Sequence, residues 1–269
     1  GGSLFKGGEI FRAVRTGQAQ IGERFMSALG KEDPLLEVDS QPFLATSYAD
    51  AMKLYKASKA EIVKGLDEKG LVFLYAVPWP AQGLYSKKEI NSVDDLKGLK
   101  IRFSGLGGMV LNEIGASATL MAGGEIFAAL EKGTLDATEY SMPAIDEVLG
   151  FHKITKFNLF PGWHQVSTST HFMINLDLWK KMGAADQALF EMACTAAAMR
   201  AITTGEFLQG KQIQSFPGKG VTAARLPDSV LRELQKVSAR VMKEESAKDA
   251  DFAKAVSYTH LTLPTILLV

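Results

Sequence analysis

The segment Asp94-Asp95-Leu96-Lys97-Gly98-Leu99-Lys100-Ile101-Arg102-Phe103 decides how this chain is read. An acidic helical turn stopped by glycine leads into a strand from Leu99 to Phe103. Arg102 then stands near the carboxyl end of a strand, the position where ligands gather in open α/β sheets. A guanidinium there suits a small anion, because its planar fork matches a carboxylate in bidentate fashion.

Outward from this segment the pattern keeps alternating between helix and strand. Upstream, Asp50 to Lys64 places Ala51, Met52, Leu54, Tyr55 and Ile62 at helical spacing. The run Leu71-Val72-Phe73-Leu74-Tyr75-Ala76-Val77 follows, and its continuous apolar character predicts a strand buried on both faces. Nearer the start, Ile10 to Val14 predicts a short helix stopped at Gly17, with an apolar segment around Ile21.

Downstream, Gly108 to Gly115 and Gly124 to Lys132 predict two helices. The stretch Leu135 to Tyr140 then alternates, so Leu135, Ala137 and Glu139 share one face. A carboxylate pointing with core residues needs a partner, since an unpaired buried charge is strongly unfavourable. His171 to Asn175 predicts a further strand and Ala184 to Ile213 a long helix that could cross between lobes, its end weakened by Gly205 and Gly210.

The chain has 269 residues, enough for two lobes of ordinary size, and with 46% hydrophobic and 22% charged residues it has the balance of a packed globular protein. Thirty basic residues cancel thirty acidic ones, which removes the field that nucleic acid or an anionic membrane would require. Cys194 is the single cysteine, so no disulfide within the chain and no CxxC metal site can form.

Enzyme motifs find little support. Gly105-Leu106-Gly107-Gly108-Met109-Val110 approaches a dinucleotide fingerprint, but Val110 stands where close helix packing needs a small residue. A tight turn, or a helix N-terminus that binds a substrate carboxylate, accounts better for those glycines. No GxSxG elbow, Walker lysine or HExxH pair occurs, and His152, His164 and His171 never share a helix face at metal-binding spacing. No catalytic residue is assigned. The remaining polar candidates are Gln82, Arg102, Glu139 and Gln165, at strand ends and in turns rich in Pro and Gly.

These residues also carry a resemblance. Ala13-Val14-Arg15-Thr16-Gly17, the segment Asp95 to Arg102 and the segment Gly124 to Glu139 resemble the dicarboxylate-type solute-binding proteins of tripartite ATP-independent periplasmic (TRAP) transporters, over roughly Gly1 to Val256. Sialic-acid and C4-dicarboxylate members usually have Asn soon after the glutamate, whereas Glu139-Tyr140, Leu149-Gly150-Phe151-His152-Lys153 and Phe160-Pro161-Gly162-Trp163 are similar to the 2-oxo acid branch.

The resemblance implies a two-lobed periplasmic α/β receptor, not an enzyme, that closes on a 2-oxo or 2-hydroxy monocarboxylate such as pyruvate or lactate and passes it to membrane permease subunits. It implies Arg102 as carboxylate anchor, with Gln82, Tyr140 and Trp163 around the substrate. A bridging Na+ or Ca2+ would be held by Gln82, Glu139, the Tyr140 carbonyl and Gln165. Tyr140 stands where tryptophan is expected, and Gln165 where glutamate is common, a lost charge that favours sodium over calcium. Two other readings remain open, a receptor for a larger organic acid without metal and a doubly wound small-molecule enzyme; a homodimer is compatible with either receptor reading.

The lobes are expected to comprise residues 1–79 with 168–206 and residues 80–167 with 207–256, hinged near Val77 to Trp79 and Thr168 to Phe172. The natural start, including a signal peptide and a first βα unit, is expected upstream of Gly1. Residues 257–269 are expected to be a non-native tail.

Overall fold

In the computed structural model two sheets organise the chain, each with its own apolar core; residues 4–29, 34–37, 39–45, 47–80, 82–166, 168–250, 252–254 and 256–257 are described. The residues expected to form a non-native tail lie almost wholly outside this set, as does the extreme start.

Helix α1 (Ile10–Arg15) buries Phe11, Ala13 and Val14 and feeds β1 (Ile21–Phe25). Helix α2 (Tyr48–Asp67) starts at Ser47, whose hydroxyl accepts the Asp50 N–H at 3.1 Å, as an N-cap serine does. Strand β2 (Leu71–Pro78) follows. In the first sheet the order is β1, β8 (Ser169–Asn175), β2, all antiparallel. The expectation of a strand buried on both faces is only partly met: Leu71, Phe73 and Val77 are buried, while Val72, Leu74, Tyr75 and Ala76 are half-buried. β2 is an edge strand among the described residues, touched by α2 and by the long helix α7 (Ala184–Ser215).

The second sheet holds the Arg102 segment. Its order is β5 (Ser117–Thr119), β4 (Lys100–Arg102), β6 (Ala137–Thr138), β3 (Leu84–Ser86), β7 (Phe157–Phe160) and β9 (Thr222–Arg225). β4 runs parallel to both neighbours, so its tip and the tip of β6 open on the same side. Helix α3 (Gly105–Ile114) follows β4 and ends on Gly115 in the left-handed conformation, φ 99°, where glycine carries no Cβ penalty. Helices α4 (Gly123–Glu131) and α5 (Pro143–Val148) flank β6 in sequence. Helix α8 (Asp228–Lys248) buries Val230, Leu234, Val237 and Val241 at helical spacing against the β4 core, in contact with α3.

The chain crosses between the sheets at residues 79–83 and 161–168, and a third time along α7, which runs unbroken through Gly205 and Gly210. The Glu206 carboxylate accepts from the Tyr48 hydroxyl of α2, and the Gln209 side-chain carbonyl accepts the Ala144 N–H of α5 at 2.9 Å. A helix that packs on both parts tolerates glycine because tertiary contacts outweigh intrinsic propensity. The short helix α6 (Leu176–Lys181), capped by Asn175, joins β8 to α7.

Candidate functional site

The tips of β4 and β6 bring two opposite charges together. Arg102 is 7% exposed and Glu139 is 1% exposed, and Arg102 Nη1 donates at 2.7 Å both to Glu139 Oε1 and to the Glu139 backbone carbonyl. Nε of Arg102 donates to the Met121 carbonyl at 3.2 Å. Among the described residues Nη2 has no hydrogen-bond partner, so one arm of the fork is free for an incoming anion.

The partner that the alternation of Leu135 to Tyr140 demands for Glu139 is therefore Arg102. Oε1 also accepts the Ser104 N–H at 3.0 Å and the Ser104 hydroxyl at 2.8 Å. Thus the Ser104 N-cap of α3, at the helix N-terminus that is one candidate for holding a substrate carboxylate, binds the protein's own Glu139 carboxylate. Burial alone would raise the Glu139 pKa; the Arg102 charge, His164 and the Ser104 hydroxyl overcome this and hold it down to about 2.

The glycines of the apparent dinucleotide fingerprint have a packing explanation. A Cβ on Gly107 would lie 2.5 Å from the Phe103 ring and 2.7 Å from the His164 Cβ, so only glycine lets α3 approach the turn that carries His164. His164 Nε2 stands 3.7 Å from Glu139 Oε2, outside hydrogen-bond distance, and both atoms are buried without a partner among the described residues.

Tyr140 is half-buried, with its ring edge-on to Phe151 and the Arg102 guanidinium carbon 5.2 Å from its centroid, a cation–π arrangement. Gly123 presses on it: a Cβ there would meet the phenol at 2.5 Å. Trp163 is 3% exposed and is sandwiched between Phe43 and Phe103, with centroids 5.6 and 5.7 Å away, within the core beneath the β4 sheet. Gln82 is 2% exposed, and its side-chain Oε1 is buried without a partner among the described residues. The Gly162 backbone lies directly against it, and a Cβ on Gly162 would come within 2.2 Å of the Gln82 carbonyl oxygen. Gln165 is half-buried at the end of that turn, and its N–H donates to the Gly162 carbonyl at 3.3 Å.

Arg102, Glu139 and Tyr140 are in mutual contact; Gln82 and Gln165 both adjoin Gly162. Two buried unpartnered oxygens, Gln82 Oε1 and Glu139 Oε2, are the donors that a hard cation accepts. Among the described residues no group of three or more His, Cys, Asp or Glu is placed to hold a metal ion, so any cation would rest on amide and backbone oxygens around one carboxylate. Ser104 and His164 are missed by motif reasoning. Their only sequence signals are a serine before a glycine-rich helix and the Pro161-Gly162-Trp163-His164 turn.

Comparison with known proteins places the chain in a family. The profile of the bacterial extracellular solute-binding proteins, family 7, matches residues 1–249. A monocarboxylate 2-oxoacid-binding periplasmic protein of Nostoc is 31% identical over 254 residues, covering 93% of this chain and 70% of that protein.

Among solved structures, a TRAP solute-binding protein from a marine metagenome, in complex with pyroglutamate, superposes with a TM-score of 0.87 at 31% identity, covering 97% of this chain and 86% of its own. TRAP solute-binding proteins from Pseudoalteromonas atlantica, with sodium and pyruvate, and Colwellia psychrerythraea, with calcium and pyruvate, give TM-scores of 0.85 and 0.86 at 26% and 28% identity; each alignment covers 96% of this chain and 80% of the other. The chain therefore has the two-lobed α/β fold of such receptors, with α7 as its long helix.

Proposed function

The chain belongs to family 7 of the bacterial extracellular solute-binding proteins, and from that premise we propose that it captures a small monocarboxylate in the periplasm, without chemical conversion, and delivers it to the membrane subunits of a TRAP transporter. The observation that carries the ligand class is Arg102: a nearly buried guanidinium at a strand tip, oriented by Glu139 and Met121, with Nη2 still available. Such an arginine fixes a carboxylate in one orientation at little additional entropic cost, because its side chain is already immobilised.

A 2-oxo acid such as pyruvate is the best supported ligand, given the Nostoc relative and the pyruvate-bound structures. A cation fits the same region, held by Gln82 Oε1, Glu139 Oε2, the Tyr140 carbonyl and Gln165, and it would supply positive charge beside the ligand's oxygens. One carboxylate among neutral oxygens favours sodium over calcium. A second reading, a cyclic amido acid bound without metal, draws support from the pyroglutamate receptor and from the two amides at Gln82 and Gln165.

Lobe closure by hinge motion at residues 77–79 and 168–172 makes the ligand-filled form the one that docks on its partner, provided that the ligand binds the closed state better. The hydrogen bonds at the second crossing suit a defined hinge: Trp79 N–H donates to the Thr168 carbonyl at 2.7 Å, and Ser169 N–H to the half-buried Asp39 carboxylate at 2.8 Å.

Thermal unfolding with pyruvate, lactate, pyroglutamate, succinate and sialic acid, each with sodium, with calcium and with neither, tests this reading. Ligand at a hundredfold excess over Kd adds about 2.7 kcal/mol of stability. We expect pyruvate with sodium to raise Tm most; stabilisation by pyroglutamate without any ion dependence would select the second reading, and stabilisation by nucleotides alone would overturn both.

A further inference from the structure

Asp146 lies on the first turn of α5 with no exposed surface, and neither carboxylate oxygen has a hydrogen-bond partner among the described residues. The sheet register explains why polar groups gather on this side. Arg102 lies opposite Thr138, Thr138 opposite Tyr85, and Tyr85 opposite Asn158, so the four side chains form one row on one face of the larger sheet.

Away from the anchor the row is fully buried. Like Asp146, the Tyr85 hydroxyl and both amide atoms of Asn158 lack partners among the described residues. Asp146 also belongs to the turn that carries the site, since its N–H donates to the Met142 carbonyl at 3.0 Å, three residues after Glu139.

The charged and titratable groups around Asp146 leave its carboxylate unneutralised. Glu139 adds a second negative charge, and Arg102 is the cation that Asp146 senses but is already committed to Glu139. Glu147, next on α5, is paired with Lys219, Tyr85 is a neutral phenol kept protonated chiefly by burial, and α7 carries the buried, uncharged Gln209 and Gln212. An ionised carboxylate so enclosed costs several kcal/mol, whereas the protonated acid both donates and accepts.

We propose that Asp146 is a neutral carboxylic acid behind the anion site, a positioning residue of the 139–142 turn whose proton is linked to the charge of the bound ligand. Burial, and then the charge of Glu139, push its pKa well above the usual carboxylate range, offset only in part by Arg102 and by the Ser141 N–H, which approaches without reaching hydrogen-bond geometry. A carboxylate arriving at Arg102 adds a further negative charge and disfavours ionisation still more. By reciprocity, ionisation of Asp146 weakens ligand binding. The linkage to ligand rests on the reading of Arg102 as the anchor; the neutrality of Asp146 does not.

Asp146→Asn separates the two. Because the folded pKa is raised above the unfolded value near 3.8, wild-type folding is penalised increasingly as pH rises above about 4. Without ligand, the variant should gain Tm over wild type by a margin that widens as pH rises above about 4. Glu37, which burial first and then Glu245 and Asp39 raise to about 7, titrates in both proteins and cancels in the difference.

A constant or narrowing margin means that Asp146 is ionised and paired, and overturns the proposal. Asp146→Leu carries the same test should the Asn variant fail to fold. With pyruvate or pyroglutamate as probe, wild-type affinity should fall between pH 6 and pH 9 by about tenfold for each pKa unit of linkage, and the Asn variant should show a flatter profile. Parallel profiles with a widening Tm margin would refute the linkage alone; no binding at any pH would count against the ligand assignment.

Discussion

Arg102 and Glu139 form a unit, and this alters what a substitution at the anchor does. Arg102→Ala removes the carboxylate fork and also strands Glu139 as a buried charge, a loss of about 3–5 kcal/mol where such pairs are broken. Arg102→Lys should keep the fold, since it leaves a positive charge beside Glu139, yet bind ligand at least tenfold more weakly by calorimetry because an ammonium offers no planar fork. Arg102→Ala combined with Glu139→Gln should recover most of the lost Tm and none of the binding. Glu139 also sets an acid limit. Its pKa is depressed, so its contribution is complete above the unfolded value of 4.5 and is lost as pH falls through about 2; circular dichroism should show the acid transition of Glu139→Gln flattened over that interval.

At the scale of elements, glycines set the distances between the pieces of the site. A methyl on Gly162 would strike the backbone of Gln82 at 2.2 and 2.6 Å, and backbone cannot rotate away. Gly162→Ala should cost about 1–3 kcal/mol of stability and shift Gln82, read out as weaker sodium dependence of ligand binding. At Gly123 the obstacle is the Tyr140 phenol at 2.5 Å, a side chain that can yield. Gly123→Ala should therefore leave folding stability within about 1 kcal/mol of wild type while changing the preference between pyruvate and pyroglutamate, because the ring that moves faces Arg102. Helix α7 illustrates the opposite case: Gly205 and Gly210 leave it continuous because contacts to both lobes fix it.

Across the whole molecule, Trp79 ties the two lobes at the first crossing. Its indole N–H donates to the Ser141 hydroxyl at 3.2 Å, beside the site turn, while its ring packs edge-on against Phe25 of β1 at 5.2 Å. If closure is the signal, ligand should reduce the radius of gyration in solution scattering, and Trp79→Phe, which keeps the ring contact and loses the hydrogen bond, should diminish that change; an identical change in the variant would remove Trp79 from the closure mechanism. Much of this architecture was legible in the sequence. Helical periodicity marked α2, a long helical run marked α7, and the turn–strand pattern ending on Arg102 placed the anchor at a strand tip, because burial writes a period of 3.6 or 2 into a chain wherever one face meets a core, whereas α8 went unread. The alternation from Leu135 to Tyr140 even required a partner for Glu139. Which partner it was, the bonding of Glu139 to the Ser104 cap of α3, the partial exposure of one side of β2 and the enclosure of Asp146 were decided only by tertiary structure. Pairing across a sheet joins residues far apart in the chain, such as Arg102 with Thr138 and Tyr85 with Asn158, and local periodicity carries no record of that register.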